Sequence, residues 1–220
     1  MREMKEIGKD IKVKDVVEGV AKSVISIVPF VNNFTQIVET VKGNVLQRRY
    51  ERWQELVEQR LSELSQDISS KLGNDECFAT ALIKTTELAS KTHTKKMEYL
   101  ANAVKYFAEN ETDEDTLIIM LNCIDKYTLS HVLILKYLEN PSVYSNNKNY
   151  ISGGIFTYFE DYYPKFNKQL RDIILKELYR DGMINIDSDA TMSRSGMEAK
   201  RTTDLGDLFI TIFGVEDENK

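Results

Sequence analysis

The chain has 220 residues, 42% of them hydrophobic, enough apolar material for one large core or two small ones, which excludes global disorder. Lys and Arg number 29 against 35 Asp and Glu; the formal net charge of −6 is opposite in sign to that of a protein built to coat nucleic acid. The two cysteines, Cys77 and Cys123, sit in apolar helical patterns, so neither a disulfide framework nor a zinc module is expected and a reducing cytoplasm fits.

The first residues mix acids with bases and lack the pattern of a signal peptide. Within an apolar N-terminal segment, 1–42, the run Val16–Val41 carries Val24, Ile25, Val28, Phe30 and Phe34, but Glu18, Lys22, Pro29 and Asn32 interrupt it before it reaches bilayer length. Pro29 should break it into two short helices. Core or subunit interface is the expected role of this segment, with conditional membrane binding as the alternative.

A helical bundle is expected over 43–126. From Asn44 to Leu72, apolar residues including Leu46, Trp53, Val57, Leu61 and Leu64 recur at spacings of three and four, the stripe of an amphipathic helix. Similar periodicity predicts helices near Asp75–Thr92 and Thr94–Glu109. Thr112–Asp115 reads as an acidic helix start, and Thr128 as the cap of a helix that stops at Asn140-Pro141.

The polar loop Ser142–Gly154 is the clearest internal change of character. Tyr144 and Tyr150 lie in it and are candidates for stacking on a partner. An aromatic helix over Ile155–Tyr162 and a helix over Pro164–Arg180 follow. A short strand pattern comes next at Met183–Ile186, then a polar excursion from Asp187 to Ala199 that reads as a hairpin returning through Lys200–Thr203, and a last apolar helix over Asp204–Phe213. An acidic tail, 215–220, closes the chain. The fold class is therefore mainly α, an N-terminal helical bundle followed over 127–214 by three helices, a small β-hairpin and a helix.

That order, with Leu178-Tyr-Arg-Asp-Gly-Met-Ile184 followed by Thr203-Asp-Leu-Gly206, resembles the winged-helix domains of bacterial repressors. The resemblance implies that the Pro164–Arg180 helix is the recognition helix, with Lys165, Lys168, Gln169, Arg171 and Lys176 facing a ligand, and that Arg194, Lys200 and Arg201 lie on the wing. Gly154 to Phe213 nevertheless holds 8 Lys and Arg against 10 Asp and Glu, which weakens nonspecific attraction to phosphate. A protein partner or self-association is therefore expected ahead of sequence-specific DNA binding. The apolar N-terminal segment, helical middle and gly-leu-ile-like ending also resemble, faintly, helical bacterial proteins of abortive infection, which implies phage defence as the setting.

No catalytic constellation is expected. His93 and His131 are the only histidines, and Cys123 and His131 would share a face only if one helix ran through Lys126-Tyr-Thr, where a break is expected. Gly153-Gly154 lacks the rest of a phosphate loop and reads as a turn, so no cofactor or metal is expected.

Overall fold

A computed structural model describes residues 43–64, 75–145, 148 and 150–214. The apolar segment with Val24, Ile25, Val28, Phe30 and Phe34, residues 65–72 of the first expected helix and the acidic tail lie outside the described residues. The protein is mainly α, with nine α-helices and one two-stranded antiparallel sheet among the described residues. Its division into two compact units falls between Leu121 and Asn122, inside a helix, and the polar loop lies within the second unit.

In the first unit, α1 (Gly43–Ser62), α2 (Glu76–Lys91) and α3 (Thr94–Glu109) pack on one another. The α1 stripe is Trp53, Leu56, Val57 and Leu61, all buried, spaced so that they share one face. Opposite them lie Phe78, Ala81, Leu82 and Ala89 of α2 and Met97, Leu100, Ala101, Val104 and Phe107 of α3. Trp53 donates its indole N–H to the Thr86 hydroxyl at 3.1 Å, and that hydroxyl donates to the Leu82 carbonyl at 2.7 Å, so the polar edge of the largest core side chain is satisfied. Asp75 caps α2 by accepting from the Phe78 amide at 2.9 Å. The next helix, α4 (Glu114–Lys126), begins at Asp113, whose carboxylate accepts from the Thr116 amide.

In the second unit, α5 (Leu129–Glu139) starts at Thr128 and stops at Asn140, before Pro141. A 3-10 turn over Pro141–Ser145 leads to β1 (Ser152–Gly153), then α6 (Thr157–Tyr162) and α7 (Lys168–Arg180). The excursion contains β2 (Met192–Ser193) and α8 (Arg194–Glu198), and the last helix is α9 (Asp204–Phe213). The three helices and the last helix expected from sequence are present in that order, but the two-stranded sheet joins β1 to β2 across α6 and α7 and is not the expected hairpin. α5 packs on α7 and α9.

Three local features differ from the sequence expectation. The helix expected from Pro164 begins four residues later, because the Asn167 side chain accepts from the Leu170 amide at 3.0 Å and sets the cap there, which leaves Lys165 in the preceding turn. The excursion is more than a plain hairpin. Its base is closed by the Ile184–Thr202 bridge and the Asn185 amide bonded to the Arg201 carbonyl, but β2 pairs outward with β1, Ser152 against Ser193 and Gly153 against Met192. Gly153 and Gly154 are not there for a left-handed turn. A methyl group on Gly154 would stand 2.1 Å from the Asp189 carboxylate, and one on Gly153 would stand 2.4 Å from the Thr157 hydroxyl, so both glycines lie where a neighbouring side chain comes close.

The residues that carry the sequence resemblance interlock at the end of α7. Gly182 takes φ of +76°, the left-handed conformation that ends the helix, and lets Met183 and Ile184 turn back into the core. Thr203 then uses both ends of its hydroxyl, donating to the Gly182 carbonyl at 2.6 Å and accepting from the Gly206 amide at 3.2 Å as the cap of α9. The motif thus fastens the first residues of α9 to the turn after α7, which is a structural task.

Candidate interaction surface

α7 buries Arg171, Ile174, Leu175 and Leu178, a stripe at spacings of three and four. The opposite face is open: Gln169, Ile173, Lys176 and Arg180 follow one another at helical spacing, with Leu170 and Tyr179 exposed beside them. Ile173 is 56% exposed, Leu170 42% and Tyr179 47%. Lys165 lies in the turn that enters this helix, and Lys168 is exposed in its first turn, paired with Glu160 at 3.0 Å. Helical periodicity contained the signal for Leu170, Ile173, Tyr179 and Arg180, which fall between the buried positions.

Arg171 does not belong to that open face. It is 5% exposed, with its guanidinium 4.5 Å from the centre of the Phe156 ring. It donates to Glu160 on α6, to Asp172 at 2.8 Å, and sits 3.3 Å from Asp189 in the excursion. Burial alone would lower its pKa, but Asp172 and Glu160 outweigh burial and hold the charge. Asp189 also accepts from the Phe156 amide at 3.3 Å, so α6, α7 and the excursion meet on one buried cation.

The cations expected on the wing are likewise engaged within the protein. Arg194 pairs with Glu198 at 2.9 Å, Lys200 bonds to Asp207, and Arg201 donates to the Gly196 carbonyl at 2.7 Å. Of the sequence candidates, Lys165, Lys168, Gln169 and Lys176 are exposed, whereas Arg171 turns inward, Arg194 and Arg201 bond within the excursion and Lys200 reaches Asp207 of α9.

The loop tyrosines are placed differently from their sequence setting. Tyr144 is 7% exposed, edge-on to Tyr137 at 5.1 Å and to Tyr162 at 5.2 Å, because the 3-10 turn directs its ring into the aromatic core. Tyr150 is half-buried, donates to Asp161 at 2.9 Å and lies 5.9 Å from the Tyr158 ring. Phe156, Phe159 and Phe166 pack in the same cluster. A shallow cleft of about 310 Å³ lies over this region, lined by Lys136, Glu139, Asn140, Val143 and Tyr144; its two charged residues pair with each other at 2.8 Å.

Cys123 ends up on α4 and His131 on α5, on either side of the break at Tyr127-Thr128. Cys123 is buried, which pushes its thiol up. Among the described residues no group of three or more His, Cys, Asp or Glu side chains is placed to hold a metal ion, and no single helix is long and apolar enough to cross a membrane. What the second unit presents is a rigid helix with an open face of mixed apolar and cationic character. Comparison with protein-family models, with curated proteins and with solved structures finds no match to this chain.

Proposed function

We propose that the protein is a non-enzymatic binding protein of winged-helix type, and that it engages an acidic protein surface through the open face of α7. One observation carries this reading: Ile173 stands exposed between Gln169, Lys176 and Arg180, with Leu170 beside it, on a helix whose other face is locked into the core. An apolar anchor with Lys176 and Arg180 on its own face suits a partner that offers a small pocket beside carboxylates. Abortive-infection resemblance sets phage defence as the context, and unchanged plaquing by a broad phage panel on expressing cells would remove it.

Site-specific photo-crosslinking tests the surface. A benzophenone side chain at position 173 should give protease-sensitive adducts that disappear when Lys165, Lys176 and Arg180 are reversed to Glu, while the same group at the exposed Ile119 gives none. Adducts at 173 that survive charge reversal, or equal labelling at both positions, would sink the proposal.

A second reading, DNA binding through the same helix, draws on Lys165, Lys168, Lys176 and Arg180 lying on or beside α7. Its weakness is that the wing cations are engaged internally. It requires duplex affinity that falls steeply between 50 and 200 mM salt, a range of about tenfold or more per few contacts, and that Lys176→Glu removes. Nuclease-sensitive adducts at position 173 would favour it over a protein partner.

A further inference from the structure

The seam between α5 and α7 holds a polar relay that the open face does not use. His131 is 6% exposed and occupies the third position of α5. Its Nδ1 lies 3.2 Å from the Thr128 backbone nitrogen and 3.0 Å from the Thr128 hydroxyl, and its Nε2 lies 2.8 Å from a Glu177 carboxylate oxygen on α7. A backbone amide only donates and a carboxylate only accepts. The two partners together select a neutral ring carrying its proton on Nε2.

The surroundings keep that ring in place. It lies parallel to the Tyr127 ring, 4.8 Å away, and Tyr127 donates its hydroxyl to Asp181 at 2.8 Å, where Lys126 also bonds. The titratable groups facing the relay are therefore Glu177 and Asp181 from α7 and its end, Lys126 and Cys123 from α4, and Tyr127 from the link; α9 adds the apolar ring of Phe209 through Tyr127.

A second proton would have to go to Nδ1, which is where the Thr128 amide proton already points. The Thr128 hydroxyl can receive the new N–H, but the amide then faces a donor and loses its acceptor. Burial holds the imidazole below the ordinary histidine pKa, outweighing the opposite pull of Glu177.

We propose that Thr128, His131 and Glu177 form an acid-sensitive latch between α5 and α7, shut by the neutral imidazole and opened at its Thr128 end by a second proton. Opening loosens the first turn of α5, while the Nε2–H bond to Glu177 becomes charge-assisted and stays, so the change reaches the helix that bears Ile173 and Lys176 through Glu177. The direction follows from proton linkage. The unfolded chain takes up the proton at an ordinary histidine pKa of about 6.5, and the folded chain only below it. The unfolded state thus binds more protons between the two values, so stability is intact above about pH 6.5 and is lost as pH falls toward the folded value.

Histidine NMR on the full chain, with urea unfolding from pH 7.5 to pH 5, tests the latch. The chain's other histidine, His93, is exposed and serves as internal comparison. His131 should show the Nε2–H tautomer and a midpoint below that of free histidine, and the Ile173 and Lys176 amides should shift with the same midpoint. The unfolding constant should rise with acid by no more than about tenfold per pH unit, the limit for one proton. His131→Gln keeps a Thr-x-x-Gln capping box without a titrating ring, and should remove that part of the dependence. A His131 midpoint at or above that of free histidine overturns the proposal, as does identical pH dependence in the variant; the NMR measurement decides even if the variant does not fold.

Discussion

Gly206 lies against Met183 so closely that a methyl group placed on it would stand 2.2 Å from the Met183 carbonyl oxygen. The neighbour is backbone, already accepting the Thr203 amide at 3.0 Å, and has little room to retreat. Gly206→Ala therefore sets two effects against each other. Alanine favours a helix interior over glycine by about 1 kcal/mol. Overpacking against fixed backbone costs about 1–3 kcal/mol, and here the atom is a carbonyl held in a cap. The clash wins, and the variant should lose about 1–2 kcal/mol, read as a lower urea midpoint with an unchanged slope. A variant as stable as wild type would show that α9 can slide.

Arg171 should behave as a structural brace. Arg171→Met keeps much of the aliphatic stem but leaves Glu160, Asp172 and Asp189 around an uncharged side chain. Breaking a buried pair costs about 3–5 kcal/mol. These acids are partly exposed and can turn to water, so about 2–3 kcal/mol is expected. Arg171→Lys should recover only part of it, since an ammonium cannot reach three carboxylates in the plane of a fork. Hydrogen exchange of the α7 amides is the measurement. Loss of partner binding with α7 protection unchanged would instead place Arg171 on the binding face.

Asp181 links the end of α7 to Lys126 and Tyr127. Burial raises its pKa, but the bonds from Lys126 and Tyr127 outweigh burial and hold the carboxyl below the usual range. A carboxyl lowered by folding stabilises above its unfolded pKa of about 3.9, and that stabilisation disappears as pH falls through the folded value. Asp181→Asn should therefore cost about 1–2 kcal/mol at pH 7, and urea unfolding of the two proteins should converge in strong acid. A gap that stays constant down to pH 2 would rule out the charge as its source.

Much of the helical frame was legible because it is periodic. Trp53, Val57 and Leu61 announce α1, and the Leu178-to-Ile184 and Thr203-to-Gly206 stretches announce the turn that fastens α9, since each of those residues has a local backbone task. Sequence places Arg171 among the outward cations of its helix although it shares the spacing of Ile174, Leu175 and Leu178. Charge suggests exposure, and beside its neighbour Asp172 the acids that make its burial tolerable come from positions 160 and 189, which no local pattern connects to it. Tyr144 belongs by sequence to a polar loop, and its burial depends on Tyr137 and Tyr162 meeting it across the fold. The open face of α7 was half legible: its cations stood out, while Ile173 and Tyr179 were hidden by the expectation that apolar residues go inward.

β1 pairs with β2, not with the strand-like residues nearest the excursion, so Ser152 meets Ser193 across forty-one positions of sequence that contain all of α6 and α7. Closing so long a loop is entropically unfavourable until the helices between have docked. The sheet is therefore a late event in assembly, a clasp fastened after its contents are in place.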